Sequence, residues 1–195
     1  MAEYRQKPSQ GRIFILSGPS GAGKTLLSRK ILTLFPDMLL SVSYTTRKQR
    51  PQEVDGRDYF FLTPEDFQRK IDQGDFLEWA IVHGQKYGTC RKWVTEKLNQ
   101  GHDVILEIDV QGAEQVQRQN LPACSIFVAP PSMEILLRRL KGRKNEAEMD
   151  IAKRLKNAEA EIQKAPDYQY LIINDVLSEA VEQLASIIRA QRCRL

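Results

Sequence analysis

At 195 residues the chain is long enough for one sizeable α/β core with inserted subdomains. Its 42% apolar and 28% charged residues are those of an ordinary globule. No apolar run approaches the ~18 residues of a membrane span, so no membrane partner is expected. The net charge of +4 would suit nucleic acid, yet the basic residues form no long tract interleaved with aromatics, and none is expected there either. Much of the basic excess falls in Arg138–Lys144, as an enzyme handling several phosphates would also require. Cys90, Cys124 and Cys193 lie far apart without metal-type spacing, which suggests reduced thiols and a cytoplasmic setting.

The polar, charged start of the chain, through Arg12, has no signal-like apolar core and argues against export. Ile13-Phe14-Ile15-Leu16 then reads as a buried strand. Gly18-Pro19-Ser20-Gly21-Ala22-Gly23-Lys24-Thr25 follows and fills every fixed position of G-x-x-x-x-G-K-[ST]. Behind it, Leu26, Leu27, Ile31, Leu32 and Leu34 mark a helix that stops before Pro36. Strand, glycine loop and helix together define a phosphate-binding loop. The loop's backbone N–H groups turn inward, and the helix N-terminus adds positive potential. Lys24 is placed to reach the β- and γ-phosphates of a nucleotide, and the Thr25 hydroxyl to ligate Mg²⁺.

Leu39–Ser43 reads as a short strand and Tyr44–Pro51, polar and basic, as a loop. Tyr59–Leu62 reads as a strand. Thr63-Pro64-Glu65-Asp66 predicts a helix start, with Thr as N-cap, Pro at the first helical position and acids in the first turn. Phe76–Val82 is strand-like, Tyr87-Gly88-Thr89 leads towards a helix over about 92–100, and Gly101 stops it. Val104–Asp109 is an apolar strand ending in an acid, which in phosphate-loop enzymes can hold Mg²⁺ directly or through water. Ser125–Ala129 and Tyr170–Asn174 supply further strands, Ser132 caps a helix through about Leu140, a second helix carries Arg154, and Ser178–Ala190 is amphipathic. Alternating strands and helices predict a parallel sheet flanked by helices, interrupted by a strand-rich insertion.

The insertion combines Ser43, Arg47, Arg50, Tyr59, Glu78, Tyr87 and Thr89. Arginines make bidentate bonds to phosphate, and tyrosine hydroxyls can add donors. A carboxylate only accepts, so a buried Glu matches the adjacent N1–H and N2–H₂ of guanine and leaves an oxygen unpaired against adenine. Singly, these residues have plainer explanations: Tyr59 and Tyr87 as core aromatics, Glu78 as a solvated acid, Arg139 and Arg143 as an exposed helical stripe. Their joint arrangement is what carries weight.

At these residues the chain closely resembles guanylate kinase. The matching elements are Ser17–Lys24, Ser43–Arg47 with Arg50-Pro51, Gly56–Tyr59, Phe76–Ala80, Tyr87–Thr89, Glu107–Gly112 and Arg139 with Arg143. They run in family order over about residues 11 to 190. The resemblance implies ATP and GMP as substrates, ADP and GDP as products, and Mg²⁺ as cofactor. It implies a core (11–40, 101–138 and 160–195), a GMP-binding insertion (41–100), a helical lid (139–159) and an N-terminal extension (1–10). It leaves a homo-oligomer open. Position by position, Arg47, Arg50, Tyr59 and Tyr87 look like ligands of the GMP phosphate, and Glu78, Ser43 and Thr89 like the guanine contacts. Glu107 and Asp109 match an acidic strand end near the guanosine and the metal's water shell. Arg139, Arg143 and Arg154 look like lid arginines that act with Lys24 and Arg47 in catalysis. Gly18 to Thr25, Arg143 and Asn174 look like the ATP-binding set. Thr25, Thr89 and Glu107 replace Ser, Ser and Asp of other members and keep the hydroxyl or the charge. Scaffold modules of the same fold have eroded phosphate loops, whereas Lys24 and Thr25 are intact here.

Overall fold

The computed structural model describes residues 10–119, 121–142 and 148–194. In chain order its elements are β1 (Ile13–Ser17), α1 (Lys24–Leu34), β2 (Leu39–Leu40), β3 (Tyr44–Thr45), β4 (Phe60–Phe61), α2 (Pro64–Asp72), β5 (Phe76–Val82) and β6 (Gln85–Cys90). They continue with α3 (Arg91–Asn99), β7 (Val104–Glu107), α4 (Val110–Gln117), β8 (Ala123–Ala129), α5 (Met133–Lys141), α6 (Glu148–Ile162), β9 (Tyr170–Ile173) and α7 (Leu177–Arg192). One sheet runs β2-β7-β1-β8-β9 and a second β4-β3-β6-β5. The first has parallel β2–β7 and β8–β9 pairs, and β1 is buried along its whole length, as a strand covered on both faces must be. The second is mixed: β3 is parallel to β4 and antiparallel to β6, and β5 is antiparallel to β6. The expected α/β class, with a strand-rich insertion, is what the chain adopts. Among the described residues no helix is long and apolar enough to cross a membrane.

The chain divides into two compact units, one made of Asp37–Ala123 with the stretch ending at Phe14, the other of Ile15–Pro36 with Cys124–Leu195. In the first, Phe67 of α2 is fully buried and stacks on Phe76 of β5 with ring centroids 4.5 Å apart. Tyr44 stacks on Phe60 at 4.7 Å. Thr63 caps α2 as its sequence predicts, its hydroxyl accepting from the Asp66 N–H at 3.1 Å, with Pro64 next. In the second unit, Leu27 and Ile31 of α1 and Leu184 and Ile188 of α7 are all buried, and α1 packs on α7. Leu136 and Leu140 of α5 cluster with Ile151 and Ala158 of α6.

Three of the stretches that differ from expectation carry or adjoin candidate site residues. Tyr44–Thr45 is a strand rather than loop, because its polar backbone pairs with Phe60–Phe61 on one side and Tyr87–Gly88 on the other. Tyr87–Thr89 is likewise strand, the return arm of a hairpin whose two-residue turn has His83 and Gly84 at φ 51° and 79°. Positive φ at both positions is the twist such a tight turn needs. Asp109 is not the end of β7. It stands beyond the strand as N-cap of α4, its Oδ1 accepting from the Gly112 N–H at 2.9 Å.

Candidate active site

In the second unit β1 delivers the chain into the loop Gly18–Gly23, and α1 starts at Lys24 with no side chain capping its first turn. The first amides of such a helix point outward and attract anions. Gly23 is at φ 96°, and a Cβ there would lie 2.3 Å from Nδ2 of Asn174, so a side chain at this position would be strained and would displace the Asn174 amide. Asn174, just past β9, is buried; its amide donates to the Ala22 carbonyl at 2.7 Å. Its own carbonyl accepts from Nη2 of Arg139 at 2.8 Å. The Arg154 guanidinium reaches Oγ of Ser20 at 3.5 Å. Lys24 folds its ammonium back onto the carbonyls of Gly18 (2.6 Å) and Pro19 (3.2 Å). Thr25 is exposed at the first turn of α1. Loop, lysine and two arginines thus form one cationic, donor-rich surface. Arg143, the third expected arginine, lies outside the described residues.

The first unit gathers the other set. Phe76 pairs with Cys90 and Glu78 with Thr89, so Leu77 is an extra residue that bulges β5. The bulge puts Glu78 and Thr89 directly opposite on one face. Oγ1 of Thr89 donates to Oε1 of Glu78 at 2.5 Å, and both residues are buried. Burial pushes the Glu78 carboxyl up to about 7; the nearby Asp109 charge adds to this, against the Thr89 hydrogen bonds. The Arg47 guanidinium lies 5.2 Å from the Tyr59 ring centroid, and Tyr59 meets Tyr87 edge-on at 5.9 Å. Burial, with smaller contributions from Tyr87 and Glu107, holds the Tyr59 phenol above its usual range, so it remains a donor at neutral pH. Ser43 is half-buried just before β3, Arg50 is exposed, and Glu107 ends β7.

Sequence reasoning passed over Glu53. It grips Arg47 bidentately, Nη2–Oε1 at 2.7 Å and Nη1–Oε2 at 3.0 Å, and accepts from the Arg50 N–H at 2.9 Å. Burial opposes its charge, but these bonds prevail and hold its carboxyl below the usual range. An acid six positions after an arginine in an irregular loop has no periodic signature, so only the fold reveals the pair. The same holds for Gln115, whose side chain meets the backbone of β5.

A strand, a glycine loop and a helix opening on lysine, set in a parallel sheet, define a P-loop nucleotide-binding protein. A family model described as Guanylate kinase matches residues 10–191. The chain is 48% identical to a guanylate kinase of Geobacter sulfurreducens over 95% of its length and 91% of that protein's. It is 50% identical to a guanylate kinase of Syntrophotalea carbinolica, covering 94% and 88%. A crystal structure of guanylate kinase from Anaplasma phagocytophilum superimposes with a TM-score of 0.79 at 34% identity, over 96% of this chain and 89% of that one. The chain belongs to the guanylate kinase family.

Proposed function

We propose that the chain transfers the γ-phosphoryl group of ATP to GMP, reversibly, giving ADP and GDP. One observation carries the choice of acceptor: a buried carboxylate, Glu78, oriented by Thr89 on the strand opposite. Ionised, it accepts both the N1–H and N2–H₂ of guanine, whereas adenine would leave one oxygen unpaired at a cost of roughly 1–3 kcal/mol or more. Arg47, Arg50, Tyr59 and Tyr87 hold the acceptor phosphate, Ser43 and Glu107 flank the nucleoside, and the insertion 41–100 that carries most of them is the acceptor-binding segment.

Gly18–Thr25 cradle the donor phosphates, with Lys24 released from its loop carbonyls onto them. Asn174 serves ATP through the loop it braces. Arg139, Arg143 and Arg154 belong to a lid, 139–159, that neutralises charge on the transferring group. The acceptor phosphate is already an ionised nucleophile, so alignment and charge stabilisation do the work without a general base. Thr25 offers a hard hydroxyl oxygen at the helix start and Asp109 a carboxylate that can act through water, a donor set suited to Mg²⁺ carried in on nucleotide phosphates. Such an ion, when bound, neutralises phosphate charge. Cys90, Cys124 and Cys193 stand as thiols, which suits a reducing cytoplasm.

The test is ADP formation from Mg-ATP with GMP, dGMP, AMP, UMP and dTMP offered separately. Turnover that requires GMP and disappears in Lys24→Ala is the expected result. GMP binding without turnover on any acceptor would leave a binding module instead.

A further inference from the structure

The free edge of β5, the strand that carries Glu78, is covered by side chains rather than by another strand. Nε2 of Gln115 donates to the Trp79 carbonyl at 2.7 Å, and its Oε1 accepts from the Trp79 N–H at 3.2 Å. Nε2 of Gln119 donates to the Leu77 carbonyl at 2.7 Å. Nε2 of Gln111 lies 3.5 Å from the Ile81 carbonyl and donates to Oδ2 of Asp109 at 2.9 Å. At the strand's start, Arg91 donates to the Phe76 carbonyl at 3.0 Å and to Oε1 of Gln119 at 2.8 Å.

The match is metric. Residues 111, 115 and 119 are one helical step of four apart, a rise of about 6 Å each, while residues 81 and 79 are two strand residues apart, about 6.6 Å, with 77 following at the bulge. Three amides on one face of α4 and its C-terminal extension therefore stay in register with alternate residues of an antiparallel-running strand. Unpaired strand edges are normally blunted by charge, proline or bulges. Here the carbonyls of Leu77, Trp79 and Ile81 and the Trp79 N–H face side-chain amides, and through them the strand is indexed to one particular helix.

That helix starts at Asp109 and presents Gly112 to Glu78. A Cβ on Gly112 would stand 2.3 Å from Oε2 of Glu78, so the carboxylate rests directly on the helix surface. Trp79, held through both its N–H and its carbonyl, is the residue next to Glu78. We infer that Gln115, supported by Gln119 and Gln111, is a positioning residue for base recognition: it fixes the height of Glu78 along α4, and so relative to Asp109 at that helix's N-cap. None of the three amides needs to touch the nucleotide. The inference rests on the GMP reading above.

Gln115→Met keeps length and helix propensity but removes both bonds to Trp79. The expected result is a rise in the KM for GMP of roughly five- to tenfold, with kcat at saturating GMP and the KM for ATP within about twofold, since two net hydrogen bonds are lost from positioning alone. Discrimination of GMP against AMP falls with it, and exchange of the Trp79 amide hydrogen accelerates by a similar factor. Gln115→Glu, which still accepts from the Trp79 N–H but sets a second acceptor against its carbonyl, raises the KM at least as far as Gln115→Met. Gln119→Met, one rung away, shows the same pattern more weakly and stands in should Gln115→Met fail to fold. A role in packing alone would lower the Tm and leave the KM and the GMP-to-AMP ratio where they were. That result, in a wild type that turns over GMP, overturns the inference. A wild type without GMP turnover overturns the GMP reading and this inference with it, a failure visible before any variant is made.

Discussion

Burial makes a carboxylate a sharp reader of hydrogen-bond donors and at the same time makes its charge costly. Glu78 carries both consequences. Its carboxyl is pushed up to about 7 by burial first, with Asp109 adding and Thr89 opposing. The folded chain thus holds this proton more tightly than the unfolded one, where the ordinary value is near 4.5. The stability it contributes is present below that value and is lost as pH rises towards 7. In the proposed reading of guanine by Glu78 the sign is opposite, because only the ionised form accepts from both guanine N–H groups. The KM for GMP is therefore expected to fall between about pH 6 and pH 8 as Glu78 ionises. The acceptor phosphate also ionises near pH ~6, but that step is common to every variant. Glu78→Gln should lose roughly a hundredfold in kcat/KM for GMP and keep only the phosphate's part of the profile, with ATP binding nearly intact. Steady-state kinetics at several pH values, compared between the two proteins, measure the difference. An identical profile in Glu78→Gln would remove Glu78 from base recognition.

Elements whose signals are local were legible in the sequence. The Thr63-Pro64 start of α2, the Ser132 cap of α5 and the apolar runs of β1 and β8 each depend on residues within one turn or one strand, and each lies close to where its sequence puts it. β3 and β6 were not legible, since a two-residue polar strand and a Tyr-Gly-Thr segment become strands only by pairing with each other across more than forty positions. α4 was missed as well. Its sequence VQGAEQVQ turns its amides towards β5 and buries only Gly112, Ala113 and Val116, so its apolar stripe is narrow. The site divides the same way: the loop Gly18–Thr25 is a contiguous motif, whereas Glu53 and Gln115 act on partners that only folding brings near. The contact between Gly23 and Asn174 is of this second kind, and it can be tested. Gly23→Ala must seat a Cβ at φ 96° and 2.3 Å from the Asn174 amide, which forces that side chain off the Ala22 carbonyl. Urea denaturation should show a loss of roughly 1–3 kcal/mol. The kcat/KM for ATP should fall at least about tenfold, because the donor cradle is distorted. GMP binding by calorimetry should be unchanged, and a loss of GMP affinity equal to that for ATP would refute this assignment.

The whole chain is threaded so that its two compact units are not consecutive in sequence. The backbone passes from one to the other between Phe14 and Ile15, between Pro36 and Asp37, and between Ala123 and Cys124. The first of these crossings falls inside β1, whose residues belong partly to each unit. Every residue of the strand is buried, so its two shares are expected to order together. The connectivity therefore predicts one cooperative thermal transition rather than two. It also predicts that a ligand of the first unit alone stabilises the entire molecule. On the proposed assignment GMP is such a ligand, and at about a hundred times its dissociation constant it adds roughly 2.7 kcal/mol, which for a chain of this size raises the Tm by about 5–10 °C. Scanning calorimetry should show a single peak that GMP moves as a whole, and Glu78→Gln should abolish most of the shift at the same GMP concentration while retaining the shift given by Mg-ATP. Two peaks, of which GMP moves only one, would mean that the split strand does not couple the units.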